Sequence, residues 1–159
     1  MTVEHEARHR HQLLEALAAA RGDERAALNV ERQSAAALQW APPSGKWSAA
    51  EHAIHLAVWD RYVAAVLAAK ADGGPAPAEP YPEGGLDAWN QAEMAARAWQ
   101  SLDAVLHELG AARGDLTAQI RRLPQPLFAS EAEGLRAYTG HDLHHSAGMR
   151  RVLREWRQC

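Results

Sequence analysis

Between Ser48 and Ala71 no glycine or proline interrupts the chain, and alanine is the commonest residue in the run. A stretch of this length and composition reads as helix, because alanine loses no side-chain entropy on entering one. Its start is marked locally. In KWSAAE, the Ser48 hydroxyl and the Glu51 carboxylate are spaced to satisfy each other's backbone N–H groups, and Trp47 stands just before the cap. Elsewhere, too, Ala and Leu dominate, Val, Ile and Thr are scarce, and no alternating strand pattern is visible. The chain is predicted to be all-α.

Four main helices follow from the breakers. The first runs from about Glu4 to Leu28, with Gly22 and Asp23 as the place for a kink. A short piece within NVERQSAAALQW then leads to APPSGK, where Pro42 and Pro43 stop any helix. The helix capped by Ser48 ends at the Gly/Pro-rich stretch ADGGPAPAEPYPEGG. A third helical stretch spans about Asp87, read as its N-cap, to Leu123; Ser101 and Asp103 offer a restart that would make it two helices. The fourth spans about Ser130, with Glu133 three residues on, to Trp156. Together they predict one four-helix bundle domain over residues 1–159.

Net charge is -3 at pH 7, so no general basic field points to nucleic acid. Arg150, Arg151, Arg154 and Arg157 cluster at the end of the last helix, where cations complement the helix dipole. MTVEHEARHRHQ lacks the apolar core of a signal peptide, and no apolar run is long enough to span a bilayer. The only cysteine is the terminal Cys159, which excludes an intrachain disulfide and a CxxC zinc site. A cytoplasmic protein with neither a membrane nor a nucleic-acid partner is expected.

The chain holds nine histidines, and GHDLHHSAG at 140–148 concentrates three of them. Helical spacing sorts them. His141 and His145 share the face that carries Tyr138, Met149, Val152 and Trp156, whereas His144 points outward. In the helix that begins at Ser48, His55 sits mid-stripe among Val58, Trp59, Tyr62 and Val66; His52 lies at the stripe's edge. Burying imidazoles without partners is costly, since each carries a donor and an acceptor. Two imidazoles at i, i+4 can share one metal ion, and a third from a neighbouring helix leaves a coordination position open. An HxxxH pair alone is equally compatible with solvated or core histidines. His5 and His9 show the same spacing and, flanked by charges, read as a solvated helix end.

Three blocks, GKWSAAEHAIHLAVWDRY at 45–62, SLDAVLHELGAARGDLTAQIRRLP at 101–124 and AYTGHDLHHSAGMRRVL at 137–153, resemble the successive helices of the DinB/YfiT-like superfamily. The similarity runs from about residue 10 to 156; the segment 125–137 departs from the family pattern. The resemblance implies a four-helix bundle of paired antiparallel helices, a homodimer, and a divalent metal held by the positions of His55, His141 and His145. His52 and His144 match no ligand position of that family.

Imidazole ligands suit Zn, Ni or Fe better than Mg or Ca. A metal with an open position activates water or a thiol. The expected function is therefore that of a metal-dependent enzyme acting on a small-molecule substrate. The resemblance implies that thiol-dependent S-transfer with a low-molecular-weight thiol, or related transferase or isomerase chemistry, comes first, with hydrolysis next. The alternative is a non-catalytic bundle that binds metal or a small ligand for sensing or sequestration. Glu51, Tyr62, Tyr138 and Asp142 are the polar residues near these stripes that could orient a ligand or move a proton. With ordinary histidine pKa values of about 6.5, metal affinity is expected to fall below about pH 6.

Overall fold

The computed structural model describes residues 3–29, 33–78, 84–98 and 100–159, without the side chains of residues 3, 5 and 6. The predicted His5–His9 pair therefore lies partly outside the described residues, as do residues 30–32 of the NVERQ piece and 79–83 of the Gly/Pro-rich stretch. Among the described residues all regular structure is helical: α1 (Val3–Leu28), α2 (Ala35–Gln39), α3 (Ala49–Ala71), α4 (Gly85–Arg97), α5 (Leu102–Arg122) and α6 (Gln125–Trp156). The long helices α1, α3, α5 and α6 form the bundle. α3 packs chiefly on α5, α1 on α6, and α3 also meets α6.

Local chemistry explains most of the boundaries. At α3 both halves of the capping box are made: Glu51 N donates to Ser48 Oγ at 3.1 Å, and Ser48 N donates to Glu51 Oε2 at 2.7 Å. The third predicted stretch is two helices, because Ser101 Oγ accepts from Ala104 N at 3.2 Å and starts α5. Three details differ from the sequence reading. α1 passes through Gly22 and Asp23 as one helix. α4 is capped by Gly84 at φ 115°, a conformation suited to glycine, and Asp87 lies inside its first turn. α6 begins at Gln125, five residues before Ser130, whose hydroxyl donates within the helix to Leu127 O at 2.8 Å. Pro126 in that first turn is tolerated because the N–H it lacks has no acceptor there.

Two apolar clusters fill the bundle. One gathers Leu38, Ile54, Leu56, Leu109, Met149 and Leu153; the other gathers Leu13, Leu17, Leu67, Leu116, Ile120 and Phe128. A buried ionic group also sits inside the bundle. Glu24, Asp60 and Asp142, each at most 1 % exposed, surround Arg113. Arg113 pairs with Glu24, donates from Nε to Asp60 Oδ2 at 3.3 Å, and has Asp142 Oδ2 at 3.8 Å. Arg21 adds a second cation 3.9 Å from Asp60. Burial raises the pKa of all three carboxyls against the pull of Arg113, taking Asp142 to about 7. Arg150, read from the sequence as a helix-end cation, also ties α6 to α1 by pairing with Asp23. No helix of the described residues is long and apolar enough to cross a membrane.

Candidate metal centre

α3 and α6 bring His55, His141 and His145 together, as the wheel positions require, with one ligand nitrogen from each within 4.8 Å of the others. The contacts are tighter than that limit. His141 Nε2 lies 3.0 Å from His55 Nε2 and 3.1 Å from His145 Nε2. Hydrogen bonding alone serves this meeting poorly, because a proton on His141 Nε2 points well at only one neighbour and leaves the other lone pair facing it. A cation serves both contacts. Two nitrogens each about 2.0–2.1 Å from one ion stand roughly 3–3.4 Å apart, so the observed separations fit imidazole ligation of Zn, Ni or Fe.

The nitrogens that face away from this meeting point are also informative. His145 Nδ1 is 2.8 Å from His52 Nδ1. His141 Nδ1, buried without a hydrogen bond, is 4.0 Å from Asp142 Oδ1. The buried Asn90 side chain of α4 favours the protonated form of His55, although its Oδ1 stops short of full hydrogen-bond geometry. His52 thus gives His145 a hydrogen-bonded outer partner, as metal-bound histidines commonly have, while Asp142 and Asn90 lie near His141 and His55 without a full hydrogen bond.

Burial depresses all four pKa values: His52 and His141 to about 4, His55 to about 3, and His145, surrounded by the other rings, to about 2. Each ring is neutral near pH 7, the form that ligates metal. This revises the sequence-based pH expectation. Proton competition moves from about pH 6 toward pH 4, so bound zinc is expected to persist at pH 5 and leave near pH 4, as read by a colorimetric chelator. Release centred near pH 6 would contradict the buried geometry.

The same shifts act on folding of the metal-free chain. Unfolded imidazoles take protons near pH 6.5, whereas the folded ones wait until about 4 or below. Their contribution is intact above pH 6.5 and is lost as pH falls toward 4, by at most about 1.4 kcal/mol per pH unit for each ring. Asp142 acts in the opposite sense: its raised pKa costs stability as pH climbs from about 4, where the unfolded carboxyl ionises, to about 7, and nothing further above that. Urea midpoints should therefore climb as pH rises from about 4 and level off by about pH 7, and a continued rise to pH 9 would contradict these environments.

The histidines floor a cavity of about 710 Å³. Trp47, Trp59 and Tyr138 supply aromatic walls, Asn90 and Leu86 come from α4, and Lys46 and Arg151 stand at the edge. No Asp or Glu is among the described lining residues. Of the polar residues singled out in the sequence, Tyr138 lines the cavity and stacks on His141 at 5.3 Å, but its hydroxyl donates to Asp60 at 2.8 Å and its pKa is raised well above 10, chiefly by burial. Glu51 is committed to the cap, Tyr62 faces a separate cavity, and Asp142 is fully buried behind His141. His144 is exposed, as its wheel position requires, yet it reaches the rim of the cavity.

A sequence model of the DinB superfamily matches residues 16–147, most of the chain and all three converging histidines. The chain belongs to the DinB superfamily. No curated protein and no solved structure matches it. Within the DinB match, sequence reasoning missed His52 and Asn90 as partners of the cluster, and Asp60 and Arg113 as buried charges. The signal for His52 was local: it is the fourth residue of the capped α3, where the residue before the cap packs, and Trp47 lies edge-on to its ring at 5.5 Å.

Proposed function

We propose that this DinB chain is a divalent-metal-dependent enzyme, with His55, His141 and His145 holding the ion and thiol-dependent S-transfer as its reaction. The observation that carries this reading is the convergence of three imidazole nitrogens, with no fourth protein donor in the group among the described residues, on the floor of an open cavity. A zinc or similar ion there supplies the charge stabilisation that keeps a low-molecular-weight thiol ionised at neutral pH. The aromatic walls of Trp47, Trp59 and Tyr138 hold an apolar electrophile and exclude water from it. In the transfer the thiol proton goes to solvent and the sulfur lone pair forms a carbon–sulfur bond. The electron pair of the broken bond leaves with the departing group.

The cavity lining favours this reaction over hydrolysis. Hydrolysis of an amide calls for a proton donor to the leaving group, yet no carboxyl group lines the cavity among the described residues, and Lys46 and His144 stand at its rim. Displacement of a stable anion by a thiolate needs no such donor. Association of two copies, implied by the family resemblance, belongs to the same reading and is checked by light scattering.

The test is turnover of an activated aryl or benzyl halide with a panel of low-molecular-weight thiols, before and after chelation. Activity should require the metal, whereas the helical circular dichroism signal should survive its removal, because two apolar clusters support the bundle independently. Metal binding without turnover on any thiol would leave a sequestering protein and reject the enzyme reading. Collapse of helicity on chelation would make the ion structural.

A further inference from the structure

We infer that His52 is a positioning residue for His145, and that Gly148 exists to keep His52 in place. The inference rests on the reading of His145 as a metal ligand. An imidazole that ligates through Nε2 carries its proton on Nδ1. His145 turns Nε2 toward His141 and Nδ1 toward His52 Nδ1 at 2.8 Å, so His145 donates, His52 accepts, and the proton of His52 lies on its own Nε2. His52 is thereby no fourth ligand: its nearer nitrogen faces the back of His145. It fixes the tautomer and the ring orientation of a group that has to meet two other rings.

Gly148 supplies the space. A Cβ at this position would lie 2.7 Å from His52 Cε1 and 2.8 Å from His52 Nε2, closer than any real contact. Its backbone is not in the left-handed region, so conformational freedom does not account for glycine here. Glycine inside α6 instead costs helix stability relative to alanine. The His52 ring lies directly over the bare backbone of α6, with Trp47 edge-on to it at 5.5 Å. At 8 % exposure it has little room to settle elsewhere.

The test uses the full chain with zinc as the probe and compares His52→Ala, Gly148→Ala, the double variant and His52→Asn. Each alanine variant should lower zinc affinity about 10- to 100-fold. The double variant should lose no more than His52→Ala alone, since Gly148 acts only through His52. His52→Asn, which offers an amide oxygen near the Nδ1 position, should recover most of the affinity. Circular dichroism should be unchanged throughout. In the metal-free parent, NMR of nitrogen-labelled histidines near neutral pH should show His145 protonated on Nδ1 and His52 on Nε2, with this arrangement lost in Gly148→Ala. Unchanged affinity in Gly148→Ala, or a His145 proton on Nε2 in the metal-free protein, overturns the proposal. Failure of the parent to bind zinc would defeat the metal reading, whereas the tautomer measurement still decides the pairing.

Discussion

Arg113→Met should destabilise the bundle by about 3–5 kcal/mol, the usual cost of breaking a buried ion pair by removing one partner. Arg113 is the cation that Glu24, Asp60 and Asp142 share, and all three are at most 1 % exposed. Burial disfavours its charge, but Glu24 and Asp60 more than offset that and raise its pKa. Once it is gone, Arg21, 3.9 Å from Asp60, is the remaining cation in the group. The carboxyls must then take up protons or bring in water. For a chain of this size the loss corresponds to a fall in melting temperature of about 10 °C or more. Part of it should be recovered at pH 5, where the carboxyls, their pKa values already raised, protonate more readily. A thermal melt at pH 7.5 within 2 °C of the parent would show that the ionic group is not what joins these helices.

His145→Ala should lower zinc affinity roughly 100- to 1000-fold, taking about 3–4 kcal/mol per ligand from whole-site binding energies. His145 contacts His141 through one nitrogen and His52 through the other, so its removal takes away a ligand and its link to His52 together. His144→Ala, one residue away on the exposed face, should leave affinity unchanged. Competition with a fluorescent zinc chelator reads both. Equal losses would mean that the faces of α6 are assigned wrongly.

The contrast between these residues shows what a linear sequence reveals. The starts of α3 and α5 are legible because Ser48 and Ser101 cap with groups three residues away. The start of α6 is not, because Pro124 and Pro126 begin it without a side-chain cap, and Ser130 has the right type at the wrong place. His55, His141 and His145 are legible because each lies on an apolar stripe, and helical spacing gives the direction of a side chain.

Spacing does not give what stands opposite. His52 lies at the edge of its stripe, and only the approach of α6 places the bare backbone of Gly148 beneath it. The ionic group is hidden for the same reason. Asp60 and Arg113 occupy core-facing positions beside Ala57 and Ala112, but a charge on such a stripe reads as an interruption until its partners on the other helices are known. Asn90 lies on α4, beyond the Gly/Pro-rich connection, where no local pattern ties it to His55.

The central claim is that three imidazoles from α3 and α6 hold one divalent ion and leave room on it for a substrate. X-ray absorption at the zinc edge, on protein loaded with one equivalent, tests it most directly. The expected spectrum has about three imidazole nitrogens at roughly 2.0–2.1 Å, with the outer-ring scattering typical of histidine, and oxygen completing the shell. Addition of a low-molecular-weight thiol should then bring in one sulfur at about 2.3 Å. A shell without histidine scattering, or one with four protein nitrogens that a thiol does not enter, would contradict the account.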